Sequence, residues 1–175
     1  MVHGIALSHG GHVECQSELG RGTTFTIYLP AAQSQDETGA SEPVIEQGRL
    51  PGGNETILLV DDEESLRQLG IRTLRSAGYA VTTASSGEEG LEEYRKKGEQ
   101  IKLVIMDLGM PGMGGHKALK AILKINPAAK IIVASGYSAT GRAKGALEDG
   151  ALGYVGKPFK KAELLATVRG VLDKK

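Results

Sequence analysis

The 175-residue sequence has a single cysteine, Cys15, which excludes an intramolecular disulfide and a zinc site of clustered cysteines. It also lacks an excess of charge, because 21 basic residues balance 21 acidic ones. Nucleic-acid-binding domains usually carry a basic excess, so this balance argues against that class. No apolar run approaches the roughly 18 residues of a membrane span, and the N-terminus lacks the pattern of a secretory signal. We therefore expect a cytoplasmic protein that contacts neither nucleic acid nor membrane.

Composition divides the chain into three zones. Residues 33–55 contain five acids, one base and two prolines but few apolar side chains. Such a segment cannot bury enough apolar surface to offset its ordering entropy, so we predict a flexible, acidic linker. The linker would separate a short first segment, residues 1–32, from a domain over residues 56–175, which holds nearly all of the longer apolar patterns.

Residues 56–175 alternate between short apolar runs and helical stripes. Apolar runs predict strands at Ile57–Val60, Leu103–Met106 and Ile131–Ala134. A weaker alternating run predicts a strand at Tyr79–Thr83, and Leu152–Val155 is a last short candidate. Apolar residues at i, i+3 and i+4 predict helices between them. One helix would start at a capping box formed by Ser86 and Glu89. Helix ends are predicted at Gly78, Gly98 and Gly150. Repeated β-α units predict an α/β fold, a doubly wound parallel sheet with helices on both faces.

Polar residues follow these strands at one edge of the predicted sheet. Asp61 and Asp62 follow the first strand, Asp107 the third, Ser135 the fourth and Lys157 the fifth. Each alone has an ordinary explanation: helix-start acids for the pair, a turn-initiating aspartate, a surface lysine. Binding sites of such sheets lie beyond the carboxyl ends of the strands, so we expect these side chains to converge there.

A convergence of three carboxylates needs counter-charge. Two carboxylates about 5 Å apart repel by roughly 3 kcal/mol at an effective dielectric constant near 20. Lys157 supplies one positive charge, and an all-oxygen site with open water positions favours Mg²⁺. A metal, a lysine and a hydroxyl can neutralise phosphoryl oxygens while a carboxylate acts as nucleophile. The cluster therefore predicts phosphoryl transfer through an aspartyl phosphate.

Four segments carry a resemblance to a known family: LLVDDE at 58–63, VIMDLGMPGMGG at 104–115, IIVASGY at 131–137 and GYVGKPF at 153–159. Together they resemble the receiver domain of two-component signalling, over residues 56–173. The resemblance implies a flavodoxin-like fold with strand order 2-1-3-4-5. It also implies that Asp107 is the phosphoacceptor and that Mg²⁺ is bound by Asp62, Asp107 and the Gly109 carbonyl, and by Asp61 mainly through water.

The same resemblance implies roles for residues on the last two strands. Ser135 would be the switch hydroxyl, Lys157 the phosphate-binding cation and Tyr154 an aromatic rotamer switch, with a cis Lys157–Pro158 bond. Serine at 135 replaces the commoner threonine but retains the hydroxyl. Lys160 stands where a capping aspartate or serine is usual, so half of the capping box is missing beside Glu163.

Residues 1–32 resemble the very end of a histidine-kinase ATP-binding domain. Predicted strands at His12–Ser17 and Thr23–Leu29 form a hairpin after a short helix over residues 1–8. The ATP lid, the Asn-bearing helix and the nucleotide-binding Asp-x-Gly-x-Gly motif are absent from this segment, so we expect no ATP binding. The spacing of His9, His12 and Cys15 allows a zinc site, but placement on a turn and hairpin disfavours it.

The chain as a whole thus resembles the C-terminal part of a hybrid sensor histidine kinase. This implies a histidine kinase or a histidine phosphotransfer domain as partner, and no activity on a free substrate. A phosphatase of the haloacid dehalogenase type would need a second aspartate two residues after the nucleophile, whereas Asp61 and Asp62 are adjacent. A flavin carrier would need a phosphate-binding loop where these aspartates stand. A receiver that serves only for docking is disfavoured because the acidic pocket is complete.

Overall fold

The structure is a computed structural model that describes residues 6–7, 10–30, 51–136 and 142–174. The chain divides into two compact units, Met1–Ile45 and Glu46–Lys175. Within the described ranges, no helix has both the length and the apolar character that crossing a membrane requires.

The first unit contains an antiparallel hairpin of β1 (His12–Glu18) and β2 (Gly22–Tyr28). Gly20 and Gly22 at the turn have φ of 80° and 96°, the left-handed region that glycine adopts without a steric penalty. The predicted hairpin is confirmed, with strand bounds shifted by one residue. Ala6 and Leu7 are helical, and the rest of the helix predicted over residues 1–8 lies outside the described residues.

The second unit alternates strands with helices. Its elements are β3 (Thr56–Val60), α1 (Glu64–Ser76), β4 (Ala80–Ala84), α2 (Gly87–Lys97), β5 (Ile101–Asp107), α3 (Gly114–Ile125), β6 (Ile131–Ser135), α4 (Arg142–Glu148), β7 (Gly153–Gly156) and α5 (Lys161–Leu172). The strands pair in parallel in the order β4-β3-β5-β6-β7. Counted from β3, this is the predicted order 2-1-3-4-5. The order reverses between β3 and β5, so a crevice is expected at their carboxyl ends.

Two apolar layers cover the faces of this sheet. In β3, Leu58 and Val60 belong to the layer shared with α2, α3 and α4. Ile57 and Leu59 belong to the opposite layer, shared with α1 and α5. All four side chains are buried, which explains why this strand reads as a continuous apolar run instead of an alternating one. The layers hold the strand ends, and therefore the site, in fixed register.

The ends of the helices follow the predictions with two differences. Gly78 and Gly150 are left-handed as expected, but Gly98 has φ of −53°. Glycine is needed at 98 for another reason, since a Cβ there would lie 2.7 Å from the carbonyl oxygen of Tyr94. Ser86 accepts from the Glu89 amide at 3.1 Å, whereas the Glu89 carboxylate binds Ser85 and not the cap residue. The predicted capping box is therefore half formed.

The structured unit begins before residue 56, where the linker was predicted to end. The Gly53 amide donates to the Ala77 carbonyl at 3.1 Å, and the Glu55 carbonyl accepts from Ala80 at 3.0 Å. Arg169 of α5 also donates to the Glu55 carboxylate at 2.9 Å. These contacts are polar, so a prediction based on apolar content could not find them. Residues 33–50 of the predicted linker lie outside the described ranges.

The Glu55–Arg169 pair allows a test of the contacts that hold residues 53–55 on the domain. Burial disfavours the charged carboxylate, but hydrogen bonds from the backbone and from Arg169 outweigh it and lower the pKa of Glu55 below 4.5. Arg169→Ala would leave the partly buried Glu55 carboxylate without its ion-pair partner and should lower the free energy of unfolding by about 1–2 kcal/mol. Urea denaturation at pH 7 followed by circular dichroism measures this.

Arg95→Ala removes an exposed arginine from α2 and serves as the control, with an expected change within about 0.5 kcal/mol. Because the folded-state pKa of Glu55 is depressed, its contribution is present above pH 4.5 and is lost as the pH falls through the folded value. The difference between wild type and Arg169→Ala should therefore shrink in acid. Equal effects of the two substitutions at pH 7 would contradict this account.

Candidate functional site

A buried lysine joins two aspartates at the carboxyl edge of the sheet. Asp61 follows β3 and Asp107 ends β5, on the two sides of the point where the strand order reverses. Lys157, which follows β7, places its Nζ 2.7 Å from Asp61 Oδ2 and 2.8 Å from Asp107 Oδ2. The three side chains are 1%, 7% and 9% exposed respectively. The structure thus brings together residues that lie 96 positions apart in the chain, from 61 to 157.

Asp62 completes an acidic group beside this pair. One carboxylate oxygen from each of Asp61, Asp62 and Asp107 lies within 4.8 Å of the others. Asp62 is exposed, while Asp61 Oδ2 is buried and accepts no well-directed hydrogen bond, although Lys157 Nζ is close. Three hard oxygen donors with an underused buried oxygen fit a divalent cation such as Mg²⁺. No other group of acids, histidines and cysteines within the described ranges has this geometry.

Local hydrogen bonds fix Asp61. Its amide donates to the Ala84 carbonyl at 3.1 Å, and its Oδ1 accepts from the Glu63 amide at 3.0 Å. Its carbonyl accepts from Arg67 Nη1 at 2.6 Å. Arg67, which also pairs with Glu64, was not singled out from the sequence. The sequence did contain a signal for this contact, because Arg67 lies near the start of the helix that follows Asp61 and Asp62.

Asp107 lies where strand, loop and helix come close together. Its Oδ1 accepts from the Gly109 amide at 3.0 Å. A Cβ at Gly115 would lie 1.8 Å from the Asp107 carbonyl oxygen, so only glycine lets α3 start this near the end of β5. A Cβ at Gly109 would lie 3.6 Å from both carboxylate oxygens. Glycine at 109 therefore leaves space open beside the Asp107 carboxylate.

Ser135 ends β6 and is hydrogen-bonded through its backbone to Lys157 and Tyr154, two other residues predicted to form the site. Its carbonyl accepts from the Lys157 amide at 3.0 Å and from the Tyr154 hydroxyl at 3.3 Å. Tyr154 is half-buried and packs against the layer of α2, α3 and α4. The Tyr154 ring thus lies partly in the apolar layer, and its hydroxyl lies at the carboxyl end of β6. The Lys157–Pro158 bond is cis, as predicted.

Burial and charge act in opposite directions on the two partners of the ion pair. For Asp61, burial outweighs the nearby ammonium of Lys157 and raises the pKa. For Lys157, burial alone favours the neutral amine, but the ammonium donates to the Asp107 and Asp61 carboxylates, and these contacts together with their negative charges outweigh burial and raise the pKa. Lys157 is therefore positively charged at neutral pH. The ionised form of Asp61, by contrast, is costly to keep in this site.

Of the three residues that could have formed a zinc site, His12 and Cys15 are described, and they form no comparable site. His12 stacks on Tyr28 with ring centroids 4.7 Å apart and lies 3.2 Å from a Glu14 oxygen. Cys15 is exposed, and His9 lies outside the described residues. Within the part of the chain that is described, neither His12 nor Cys15 belongs to a group that could hold a metal. His116 pairs with Asp149 instead.

Comparison with known proteins decides what this acidic site belongs to. The family described as "Response regulator receiver domain" matches residues 57–169. The chain belongs to this family. It is therefore a receiver domain, the phosphoacceptor module of two-component signalling, and receiver domains bind Mg²⁺ at an acidic pocket.

Relatives of known name support the assignment. The chemotaxis protein CheY of Thermotoga maritima is 35% identical over 116 residues, which covers 66% of this chain and 95% of that protein. A CheX–CheY–BeF3–Mg²⁺ complex from Borrelia burgdorferi matches with a TM-score of 0.66 and 29% identity, over 69% of this chain and 90% of that chain. The flavodoxin-like fold predicted from the sequence is thereby confirmed.

The similarity extends beyond the receiver domain. The sensor kinase CckA of Brucella abortus is 37% identical over 179 residues, which covers 99% of this chain. The segment before the receiver domain is therefore included, as predicted for a hybrid sensor kinase. The chain spans about a fifth of that kinase, 19% of its length.

The raised pKa of Asp61 predicts how its removal affects stability. An acid with a raised folded-state pKa costs stability when ionised, and this cost disappears as the pH falls towards its ordinary value of 3.8. Asp61→Asn should therefore stabilise the metal-free protein at pH 7, by on the order of 1 kcal/mol, the usual scale of one substitution.

Thermal unfolding of Asp61→Asn and wild type in chelator, from pH 7 to pH 4, measures this gain. The gain should shrink towards pH 4, because wild-type Asp61 then becomes protonated. Asp62→Asn, at the exposed neighbour, is the matched control and should change stability less. A destabilised Asp61→Asn protein at pH 7 would show that the ion pair with Lys157 outweighs burial.

Proposed function

We propose that Asp107 accepts the phosphoryl group in this receiver domain, in a phosphorelay that starts from a phosphohistidine. The observation that carries the proposal is the Lys157 ammonium, buried 2.8 Å from Asp107 Oδ2 at the strand edge where the order reverses. At this distance from Asp107, the ammonium would neutralise an oxygen of a phosphoryl group bound there. Glycine at 109 also keeps a side chain from touching the Asp107 carboxylate, since a Cβ there would lie 3.6 Å from both oxygens.

The transfer is a displacement at phosphorus. A carboxylate oxygen of Asp107 forms a new O–P bond as the N–P bond to the donor histidine breaks. The electron pair of that bond returns to the imidazole nitrogen, which then takes up a proton. The Gly109 amide holds Oδ1, Lys157 neutralises one phosphoryl oxygen, and the Ser135 hydroxyl donates to another.

Mg²⁺ is the proposed cofactor of this site. Asp62, Asp107 and the Gly109 carbonyl would hold it directly, and Asp61 mainly through water. When bound, the metal would reduce the repulsion among the carboxylates and neutralise phosphoryl oxygens. The charge of the pocket and the similarity to a complex that contains BeF3 and Mg²⁺ support this assignment.

The wider setting follows from the same proposal. The domain would catalyse its own phosphorylation and dephosphorylation without turning over a free substrate. Its partner would be a histidine kinase, a histidine phosphotransfer domain or both, and it would act in the cytoplasm. Residues 1–32 would be the C-terminal remnant of an ATP-binding domain, joined by the linker of residues 33–55. The similarity to CckA along 99% of the chain supports this organisation.

Replacing the phosphoacceptor tests the chemistry. Asp107→Asn should abolish phosphorylation by phosphoramidate, a loss of more than about 100-fold, because an amide oxygen is a poor nucleophile. Mass spectrometry of the acid-labile product locates the phosphoryl group in wild type. Asp149→Asn, whose carboxylate pairs with His116 and Lys120 and is not part of the acidic group, is the control and should be phosphorylated normally. Excess chelator should block the wild-type reaction, and modification elsewhere or undiminished phosphorylation in chelator would contradict the assignment.

Replacing the switch hydroxyl tests how the signal leaves the site. A phosphoryl oxygen would draw the Ser135 hydroxyl inward through a charge-assisted hydrogen bond, and Tyr154, bonded to the Ser135 carbonyl, would rotate with it. Ser135→Ala should allow phosphorylation of Asp107 but should lose at least about half of the BeF3-induced NMR shift changes in α4, β7 and α5. Ser135→Thr retains the hydroxyl and should respond as wild type does. Undiminished shift changes in Ser135→Ala would refute the coupling.

A further inference from the structure

Helix α3 begins without an acceptor of its own. Met113 at its N-cap makes no side-chain cap hydrogen bond, and the first turn contains no acidic residue. The first amides of a helix have no intrahelical partner, and they favour oxygen acceptors and negative charge. The loop after Asp107 leads directly into this helix, so whatever holds the N-terminus of the helix also holds the end of the loop.

A carboxylate from another helix fills this position. Glu88, in the first turn of α2, accepts from the Met113 amide at 2.7 Å through its Oε1. Hydrogen bonds from its own amide and from the Met113 amide lower the pKa of Glu88. The contact joins residues 25 positions apart and stabilises an N-terminus whose own sequence offers no cap.

Two glycines near Glu88 make space for this contact. Gly112 has φ of 73°, and a Cβ there would lie 2.9 Å from Glu88 Oε1. A Cβ at Gly87 would lie 3.1 Å from the Gly114 carbonyl and 3.2 Å from the Ala118 Cβ. Glycines on both sides therefore let the start of α2 approach the start of α3 closely enough for one carboxylate to span the gap.

The contact reaches the phosphoacceptor through a short stretch of chain. Met113 lies two residues before Gly115, which packs against the Asp107 carbonyl with no room for a Cβ. At the other end of the loop, the Gly109 amide donates to Asp107 Oδ1 at 3.0 Å. Residues 108–113 are thus held at Asp107 on one side and at Glu88 on the other.

We propose that Glu88 is a positioning residue for loop 108–113. Its carboxylate supplies the N-terminal acceptor that α3 lacks and thereby keeps Gly109 in place beside Asp107. Glu88 touches neither the phosphoryl group nor the reacting atoms, and it acts through Met113. The consequence for phosphorylation rests on the proposed role of Asp107, whereas the consequence for Gly109 does not.

The test compares Glu88→Ala, Glu88→Gln and Glu92→Ala in the intact chain. Glu92 is an exposed acid of the same helix, paired with Lys96 at 2.8 Å, and its removal changes the net charge equally. Without metal, NMR gives the hydrogen-exchange rate of the Met113 amide and the chemical shift of the Gly109 amide. With phosphoramidate, the initial rate of phosphorylation is followed against Mg²⁺ concentration, and urea denaturation reports stability.

In Glu88→Ala, Met113 exchange should rise about tenfold, the loss expected for one hydrogen bond to a charged acceptor. The Gly109 resonance should shift, and the Mg²⁺ concentration for half-maximal rate should rise about threefold or more because the loop is displaced. Glu88→Gln should behave much more like wild type in each measurement, since its amide oxygen can accept the same hydrogen bond. Glu92→Ala should match wild type in all of these except for a small change in stability.

Two results would overturn the proposal. Unchanged Met113 exchange in Glu88→Ala would show that the contact does not hold the helix start. Faster Met113 exchange with an unmoved Gly109 resonance would reduce Glu88 to a helix cap without a positioning role. If wild type is not phosphorylated at Asp107, the proposed function fails, but the Gly109 resonance still decides whether Glu88 positions the loop.

Discussion

The site depends on one buried ammonium between two carboxylates. Asp61 and Asp107 stand on neighbouring strands, and Lys157 reaches both of their carboxylates within 2.8 Å. By formal charge, the three aspartates and Lys157 sum to −2. This is the charge that a divalent cation cancels, whereas a second lysine would leave the pocket negative. The charge balance alone therefore favours a doubly charged ion at the proposed Mg²⁺ site.

This charge cluster exists because the sheet is parallel. Parallel strands end at the same edge, so residues that follow β3, β5, β6 and β7 meet although they are far apart in sequence. The apolar layers on both faces keep that edge from shifting, since a change of register would swap close-packed side chains such as Leu58 and Leu59 between layers that are shaped for different residues. The energetic cost of concentrating acids is thus offset elsewhere, in a core that contains almost no polar groups.

Sequence patterns predicted the fold and the acidic pocket because both follow from periodicity and strand order. Apolar runs indicated each strand, and the position after each run indicated which polar residues would converge. The contacts that the patterns missed join side chains across long separations: Arg169 with Glu55, 114 positions apart, and Glu88 with Met113, 25 apart. Such contacts depend on side-chain direction and loop path, which neither composition nor spacing encodes. The sequence pattern did not predict that Tyr154 is half-buried either.

The pairing of Lys157 also limits how the proposed switch can work. A ligand shifts two states only by its differential interaction with them. Lys157 already contacts two carboxylates before phosphorylation, so a phosphoryl group would replace one charged partner with another and would add little difference. In the proposed switch, the Ser135 hydroxyl would gain a charged acceptor on phosphorylation, and the Ser135 carbonyl accepts hydrogen bonds from the Tyr154 hydroxyl and the Lys157 amide. A movement at the end of β6 would therefore reach both β7 and the chain leading into α5, so the proposed switch would depend more on Ser135 than on Lys157.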